Sequence, residues 1–151
     1  MTNEELKLSI TTVLPSATFD ETGEFLQVNL DAANLRLLME ALRSQKQLDF
    51  DSLFCLTCVD WKEYFTMVYH LFSRTHKHTI VVKAKISDVA SPQIETVCDI
   101  WKTANFHERE VYDLFGVVFL KHPDLRRIFL EDDWEGYPLR KNYINENMIE
   151  L

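Results

Sequence analysis

The sequence is poor in glycine and proline, with three glycines and four prolines among its 151 residues. The glycines, Gly23, Gly116 and Gly136, stand far apart, so the chain has no glycine-rich phosphate loop and a nucleotide site within it is disfavoured. No low-complexity segment, internal repeat or linker interrupts the sequence. The length is typical of one domain, which predicts a single compact unit.

Cysteine is also scarce. Cys55, Cys58 and Cys98 are too few and too scattered to hold an iron–sulfur cluster within this chain. Cys55 and Cys58 fall in a strand-like run, where a spacing of three residues places them on opposite faces, and no second pair completes a zinc site. We therefore interpret these two as buried structural cysteines.

The histidines form no recognisable metal-binding motif. His76 and His78 share a strand face, but no third ligand with a typical spacing accompanies them, and His107-Glu108 is not part of an HExxH motif. The sequence therefore predicts no metal site. A small redox or metal enzyme that uses the neighbouring cysteines and the histidines remains a rival hypothesis.

Basic charge is lacking as well, since 16 lysines and arginines stand against 24 acidic residues and the net charge is −8. Autonomous nucleic-acid binding needs a basic surface and is disfavoured. No uninterrupted apolar run approaches the roughly 20 residues that span a bilayer. Residues 1–14 lack the basic and apolar regions of a signal peptide, which predicts a cytosolic compartment.

Hydrophobic spacing in the first 45 residues predicts two helices and a strand. Thr2 and Glu5 fit a capping box before an amphipathic helix that Pro15 ends. Residues 26–30 alternate as in a strand, and Asp31 is a suitable N-cap for the second helix. The buried stripe of that helix is predicted to be Leu35, Leu38, Met39 and Leu42.

Between residues 52 and 86 the hydrophobic period changes to two, which predicts three strands, over 53–59, 65–72 and 79–86. Their connections are too short for parallel crossovers, so the strands should form an antiparallel meander. The predicted fold class is α+β, with a small, mostly antiparallel sheet whose helices pack on one face, followed by an extended C-terminal tail.

Two further helices are predicted after the sheet. Asn105, with Glu108 three residues later, opens a helix that Gly116 closes. Ser91 and Pro92 supply an N-cap and a first-turn proline for the helix before it. The predicted inner face of that preceding helix is Ile94, Val97, Cys98 and Trp101.

The charged residues of the last helix raise the question of acid–base catalysis. Glu108 and Glu110 are two residues apart, so on a helix they point about 200° from each other and cannot converge on one substrate. We interpret both as solvated carboxylates that stabilise the helix N-terminus. Arg109 and Asp113 share a face and should form a local ion pair. The sequence therefore predicts no catalytic residue.

Residues 119–151 are the predicted C-terminal tail, and residues 1–118 the domain that precedes it. Charged clusters alternate there with large apolar residues, without a helical or strand period. Arginine, tryptophan and tyrosine are favoured at interfaces, so we expect the tail to become ordered against a partner. The alternative is a tail that wraps across its own domain.

Three motifs carry a specific resemblance. The run ANFHEREVYDLFG begins at Ala104, HPDLRRI begins at His122, and GYPLRK begins at Gly136. In order and spacing they resemble the C subunit family of NADH-quinone oxidoreductase, the respiratory complex I. The chain departs from the family pattern at Tyr137, where histidine is frequent, and at Asn142, where aspartate is frequent, which puts details of the tail contact in question.

The resemblance implies a structural subunit in the hydrophilic arm of a complex that passes electrons from NADH to quinone and pumps protons. It implies docking beside the large D subunit, with iron–sulfur clusters, FMN and quinone held by partner subunits, and membrane association on the cytoplasmic side only through the complex. The equivalent subunit of a ferredoxin-linked oxidoreductase or of a membrane-bound hydrogenase, and a free-standing binding module, are the alternatives.

No catalytic, cofactor-binding or metal-binding residue is expected in this chain. By the resemblance, the residues expected at the partner interface carry charge, a histidine ring or an indole. They are Glu108, Arg109, Glu110, Asp113, His122, Arg126, Arg127, Trp134, Arg140 and Lys141.

Overall fold

The chain folds into an α+β structure, as predicted, and the computed structural model describes residues 1–144. The helices are α1 (Asn3–Val13), α2 (Leu35–Ser44) and α3 (Ala104–Phe115). The strands are β1 (Thr18–Asp20), β2 (Leu26–Asp31), β3 (Ser52–Asp60), β4 (Phe65–Ser73), β5 (His78–Ile86), β6 (Gln93–Glu95) and β7 (Val118–Leu120). Within the described range, none of the helices is long and apolar enough to cross a membrane.

Strands β1 to β5 form one sheet, in the order β1-β2-β5-β4-β3. The β3-β4-β5 meander is antiparallel, which confirms the prediction, and β1 is antiparallel to β2. The β2–β5 pair is parallel, with Leu26 opposite Ile80. That parallel pair was not predicted, because it joins strands separated by α2 and two further strands.

One face of the sheet forms the core. A row of buried side chains crosses four strands in register, from Leu56 through Tyr69 and Val82 to Val28. The inner residues of all three helices belong to the same apolar cluster, so the helices cover this face. On the other face the row next to it includes Lys83 and Asn29, which are partly exposed.

The predicted capping box of α1 is present, whereas Asp31 caps a 3₁₀ turn and the N-cap residue of α2 itself is Asn34. The Thr2 hydroxyl accepts a hydrogen bond from the Glu5 backbone N–H (3.2 Å), and the Glu5 carboxylate accepts one from the Thr2 N–H (2.9 Å). The Asp31 carboxylate accepts a bond from the Ala33 N–H (3.2 Å), at the start of a single 3₁₀ turn that leads into α2. The predicted apolar stripe of α2 is buried, which confirms the pattern.

The prediction of a helix after Ser91 and Pro92 is wrong. Residues 93–95 form β6, which pairs in parallel with β7 and places Ile94 opposite Phe119, and both side chains are buried. Only one turn follows, closed by the hydrogen bond from the Trp101 N–H to the Val97 carbonyl (3.0 Å). Pairing with a strand more than 20 residues later outweighs the local helical period.

The predicted helix start at Asn105 is also slightly misplaced. Helix α3 begins at Ala104, and Thr103 is its N-cap residue. The Thr103 side chain does not cap the helix but donates a hydrogen bond to the Leu53 carbonyl of β3 (2.8 Å). That bond ties the start of α3 to the edge strand of the sheet.

Gly116 ends α3 as predicted, in a left-handed conformation with φ of 77°. A Cβ there would lie 2.6 Å from the Tyr137 ring and 2.8 Å from the Arg140 guanidinium. We expect Gly116→Ala to lower the free energy of unfolding by about 2 kcal/mol, from backbone strain and displaced side chains. Urea denaturation measures this loss.

The matched control is Gly23→Ala, whose backbone is not left-handed and whose new Cβ would meet only the end of the Gln27 side chain. It should change stability by no more than about 0.5 kcal/mol. Equal unfolding midpoints for the two variants would contradict the role given to Gly116.

Candidate functional site

The C-terminal tail begins inside the folded domain. The predicted boundary after residue 118 falls within β7, and Phe119 is a buried core residue. Between residues 121 and 144 the tail contains no helix or strand. The remaining residues of the predicted tail, 145–151, lie outside the described residues. The division into domain and partner-binding tail stays a prediction.

Asp113 on α3 is the main anchor of the tail. Its side chain is fully buried, and one carboxylate oxygen accepts hydrogen bonds from three successive backbone N–H groups. These belong to Ile128 (3.1 Å), Phe129 (2.7 Å) and Leu130 (3.1 Å). The other oxygen lies 3.3 Å from an Arg127 guanidinium nitrogen. Successive N–H groups that converge on a carboxylate form an anion-binding concavity, so Asp113 fixes the shape of this turn.

Two arginines complete the anchor. Arg127 donates to the carbonyls of Asp113 (3.2 Å) and Gly136 (3.1 Å). Arg109 is buried and donates to the carbonyls of Arg126 (3.1 Å) and Arg127 (3.3 Å). The ion-pair partner of Asp113 is thus Arg127 from the tail, and the predicted local pair between Arg109 and Asp113 is wrong.

A second attachment lies near the end of the described tail. Arg140 donates to the Phe115 carbonyl (2.5 Å), and its guanidinium lies 5.4 Å from the Phe65 ring centroid and 5.0 Å from that of Tyr137. The Lys141 backbone N–H donates to the Asp60 carboxylate (2.8 Å). The tail is therefore attached to α3 and also to the end of β3.

Glu108 lies at the centre of a third cluster and is fully buried, so its interpretation as a solvated carboxylate is wrong. It accepts a hydrogen bond from the Val97 N–H (2.7 Å) and is hydrogen-bonded to the Thr96 hydroxyl. The His122 Nε2 atom lies 3.8 Å from the Oε2 atom of Glu108. Burial raises the pKa of Glu108 to about 7, although the bonds from Thr96 and Val97 act in the opposite direction.

Glu108 and His122 come together with Cys98, and ligand atoms of the three side chains lie within 4.8 Å of one another. The geometry does not suit a metal ion. The His122 Nδ1 accepts a bond from the Asp124 N–H (3.0 Å), so the proton is on Nε2, which donates to the Asn105 carbonyl (3.3 Å). Both ring nitrogens of His122 are already hydrogen-bonded. The cluster is therefore better explained as a set of hydrogen bonds that connects α3, the segment after β6 and the start of the tail.

Cys55 and Cys58, on which the rival redox hypothesis depends, do not converge on one site. Cys58 is buried in the core, whereas Cys55 lies opposite His70 on the outer face of the sheet, which confirms that the two cysteines face opposite sides. Cys55 is only half-buried, so its interpretation as a buried cysteine is wrong. His76 is hydrogen-bonded to the Lys46 carbonyl (2.9 Å). Within residues 1–144, the two cysteines therefore do not act as a pair.

The ten residues expected at the partner interface differ in exposure. Glu108, Arg109 and Asp113 are buried by contacts within the chain. The half-buried members are Glu110, His122, Arg127 and Arg140, and the exposed members are Arg126, Trp134 and Lys141. Direct partner contact stays a prediction for all ten.

Exposed large apolar side chains are more frequent on the tail than in the rest of the described chain, although Leu8, Phe54 and Phe106 are also exposed. Phe129 is 65% exposed, Leu139 52%, Trp134 39% and Ile128 37%. The sequence of the segment is rich in large apolar residues, but only the fold determines which of them face outward. We call these four the exposed tail residues.

A scan against protein-family models matches residues 28–147 to the family described as "Respiratory-chain NADH dehydrogenase, 30 Kd subunit". The match covers most of the sheet, all of α2 and α3, and nearly all of the tail. It includes each of the three motifs recognised in the sequence.

Curated relatives carry related names. The C subunit of NADH-quinone oxidoreductase from Chloroherpeton thalassium is 47% identical over 104 residues, covering 68% of this chain and 43% of the relative. The C/D subunit of NADH-quinone oxidoreductase from Phocaeicola vulgatus is 46% identical over 118 residues, covering 78% of this chain and 22% of the relative. The chain thus spans less than half the length of these relatives.

Among solved structures, the chain is similar to one in "Structure of the membrane-bound sulfane sulfur reductase (MBS), an archaeal respiratory membrane complex". The TM-score is 0.77 at 30% sequence identity, and the alignment covers 93% of this chain and 85% of that one.

Proposed function

Because the chain belongs to the family of the 30 kDa subunit of respiratory-chain NADH dehydrogenase, we propose that it is a non-catalytic interface subunit of a proton-translocating NADH-quinone oxidoreductase. In this proposal it docks beside the D subunit in the hydrophilic arm, on the cytoplasmic side of the membrane. The iron–sulfur clusters, FMN and quinone are bound by other subunits, and this chain contributes shape and assembly.

The observation that carries the proposal is the set of exposed tail residues. They lie on a segment that contacts within the same chain hold in place. Large apolar side chains that remain exposed on an ordered segment are typical of a protein interface. The tail is held in one shape by Asp113, Arg109, Arg127 and Arg140, through contacts to backbone groups. A surface that is ordered before binding loses less conformational entropy on association, which favours docking.

Several relatives are named as a C/D subunit, and this supports the D subunit as the partner, since the name joins the two in one chain. The alternative is the equivalent subunit of a related complex, such as a ferredoxin-linked oxidoreductase or membrane-bound hydrogenase. The similarity to a chain of the archaeal membrane-bound sulfane sulfur reductase complex supports this alternative. Whether NADH or ferredoxin drives quinone reduction by the purified complex distinguishes the two.

We expect Phe129→Glu and Trp134→Glu to reduce co-purification with the D subunit from gently solubilised membranes by at least about tenfold, because each buries a charge in an apolar contact. NADH:quinone reductase activity of the membranes should fall in parallel. Quantitative mass spectrometry of the affinity-purified complex measures the first effect.

Leu37→Glu is the matched control, since Leu37 is 54% exposed on α2 and lies outside the tail. It should leave co-purification unchanged. Thermal unfolding of each purified chain shows whether the variants remain folded. If folded Phe129→Glu and Trp134→Glu chains recovered the D subunit as well as the original chain does, the tail would not be the docking surface.

A further inference from the structure

The outer face of the sheet, opposite the helices, contains a groove with a volume of about 480 Å³. It spans all five strands of this sheet. Thr18, Asn29, Lys83 and Val68 lie in one row in register, and Lys85, Thr66 and Val59 lie in the next. We call it the outer groove. Its rim is formed by Ser16, Thr18, Trp61 and Tyr64.

Two ammonium groups face this groove. Lys83 and Lys85 are two residues apart on β5, so both side chains project from the outer face, roughly 6.6–7 Å apart along the strand. Among the described residues, neither has a carboxylate within 4.0 Å, whereas Lys7, Arg36 and Arg74 all do. This is notable in a chain whose net charge is −8.

Aromatic and apolar surface accompanies the charge. The Lys85 ammonium lies 4.5 Å from the centroid of the Tyr64 ring, and Trp61 is 53% exposed. The Lys141 ammonium, from the tail, lies 5.9 Å from the Trp61 ring, but Lys141 does not itself line the groove. Val68 forms part of the apolar floor and is 8% exposed.

Asp31 is the acidic residue that lines the groove, and its carboxylate already accepts the hydrogen bond that caps the turn before α2. The groove therefore presents positive charge beside an apolar floor. Such a surface suits a carboxylate-bearing segment better than nucleic acid, because the acidic remainder of the chain would repel a phosphate backbone.

We propose that the outer groove binds an extended segment of a neighbouring subunit whose carboxylates occur at alternate positions. Side chains two residues apart in an extended chain share a face and repeat at the spacing of Lys83 and Lys85. The Trp61 and Tyr64 rings lie beside the same segment and contact the aliphatic parts of its groove-facing side chains. The inference goes beyond docking through the tail and does not depend on which subunit supplies the segment.

The test uses the intact complex, isolated from gently solubilised membranes, with the photo-reactive residue benzoylphenylalanine in place of Ser16 at the exposed rim. Irradiation followed by mass spectrometry identifies the segment that occupies the groove. The expected product joins position 16 to another subunit, at a segment with two carboxylates two residues apart. The double variant Lys83→Glu, Lys85→Glu should lower its yield at least about tenfold.

The control double variant Lys46→Glu, Lys102→Glu makes the same change in charge at two exposed positions outside the groove and should leave the yield unchanged. Yields are normalised to the amount of complex recovered, so a loss of tail docking is measured separately. Cross-links only within this chain, to a second copy or to lipid would overturn the proposal. Equal yields from the two double variants would also overturn it.

Discussion

Replacing Asp113 with alanine is expected to lower the free energy of unfolding by about 3–5 kcal/mol, the range typical of breaking a buried, hydrogen-bonded charge pair. Three backbone N–H groups, those of residues 128–130, would lose their shared acceptor, and Arg127 would lose its counter-ion. The tail should detach from α3 before the core unfolds, because the core cluster contains no buried residue beyond Phe119 within the described range. Urea denaturation measures the loss in stability.

Trypsin provides an independent measurement, because Arg126 and Arg127 are held by the contacts that Asp113 organises. Cleavage after these arginines should become faster in the Asp113→Ala chain. Asp132→Ala is the control, since it removes an exposed carboxylate from the same tail and should change stability by less than about 0.5 kcal/mol. If both variants resisted trypsin and urea as the original chain does, the Asp113 contacts would not contribute to the stability of the tail.

The stability of the chain should depend on pH through Glu108. Its pKa is raised from 4.5 to about 7 in the folded state, so between these values the folded chain binds more protons at this site than the unfolded chain. By linkage, the contribution of Glu108 to stability falls as the pH rises from about 4.5 to 7, by about 3 kcal/mol in total. Below pH 4.5 the carboxyl is protonated in both states and the penalty disappears.

Glu108→Gln tests this, because the amide resembles the protonated acid in shape and can still accept the Val97 N–H. The lowered pKa values of His70, His78 and His122 give an opposite pH dependence in both proteins, so the quantity to measure is the difference between them. The two chains should be similarly stable at about pH 4.5, and the variant more stable by about 3 kcal/mol at about pH 8. A difference that stays constant with pH would contradict the raised pKa.

Local signals in the sequence were enough to predict much of the fold. The capping box at Thr2, the apolar stripe of α2 and the closure of α3 at Gly116 each depend on residues within a few positions of one another. The meander was predictable because short connections leave few alternatives. The β6–β7 pair was not, since Ile94 and Phe119 come together only once the whole domain is formed.

The candidate site was predicted as a region, but the roles of its residues were not. Glu108 and Asp113 bind backbone N–H groups of residues 97 and 128–130, and a backbone group has no signature in the sequence. A charged motif therefore indicates a family without showing whether its charges face a partner or the chain itself. The proximity of Cys98, Glu108 and His122 was missed for a similar reason, because their spacing matches no ligand motif.

The parallel pairing of β2 with β5 has a consequence for how the chain folds. Leu26 faces Ile80, 54 residues later, whereas the β3-β4-β5 meander is built from neighbouring segments. Closing so long a loop costs more entropy than closing a hairpin, so the meander should form first and β2 should join it afterwards. During synthesis, the apolar faces of α1, α2 and β2 would then remain exposed to solvent until β5 has left the ribosome. A chaperone that shields apolar segments would be most useful to this chain in that interval.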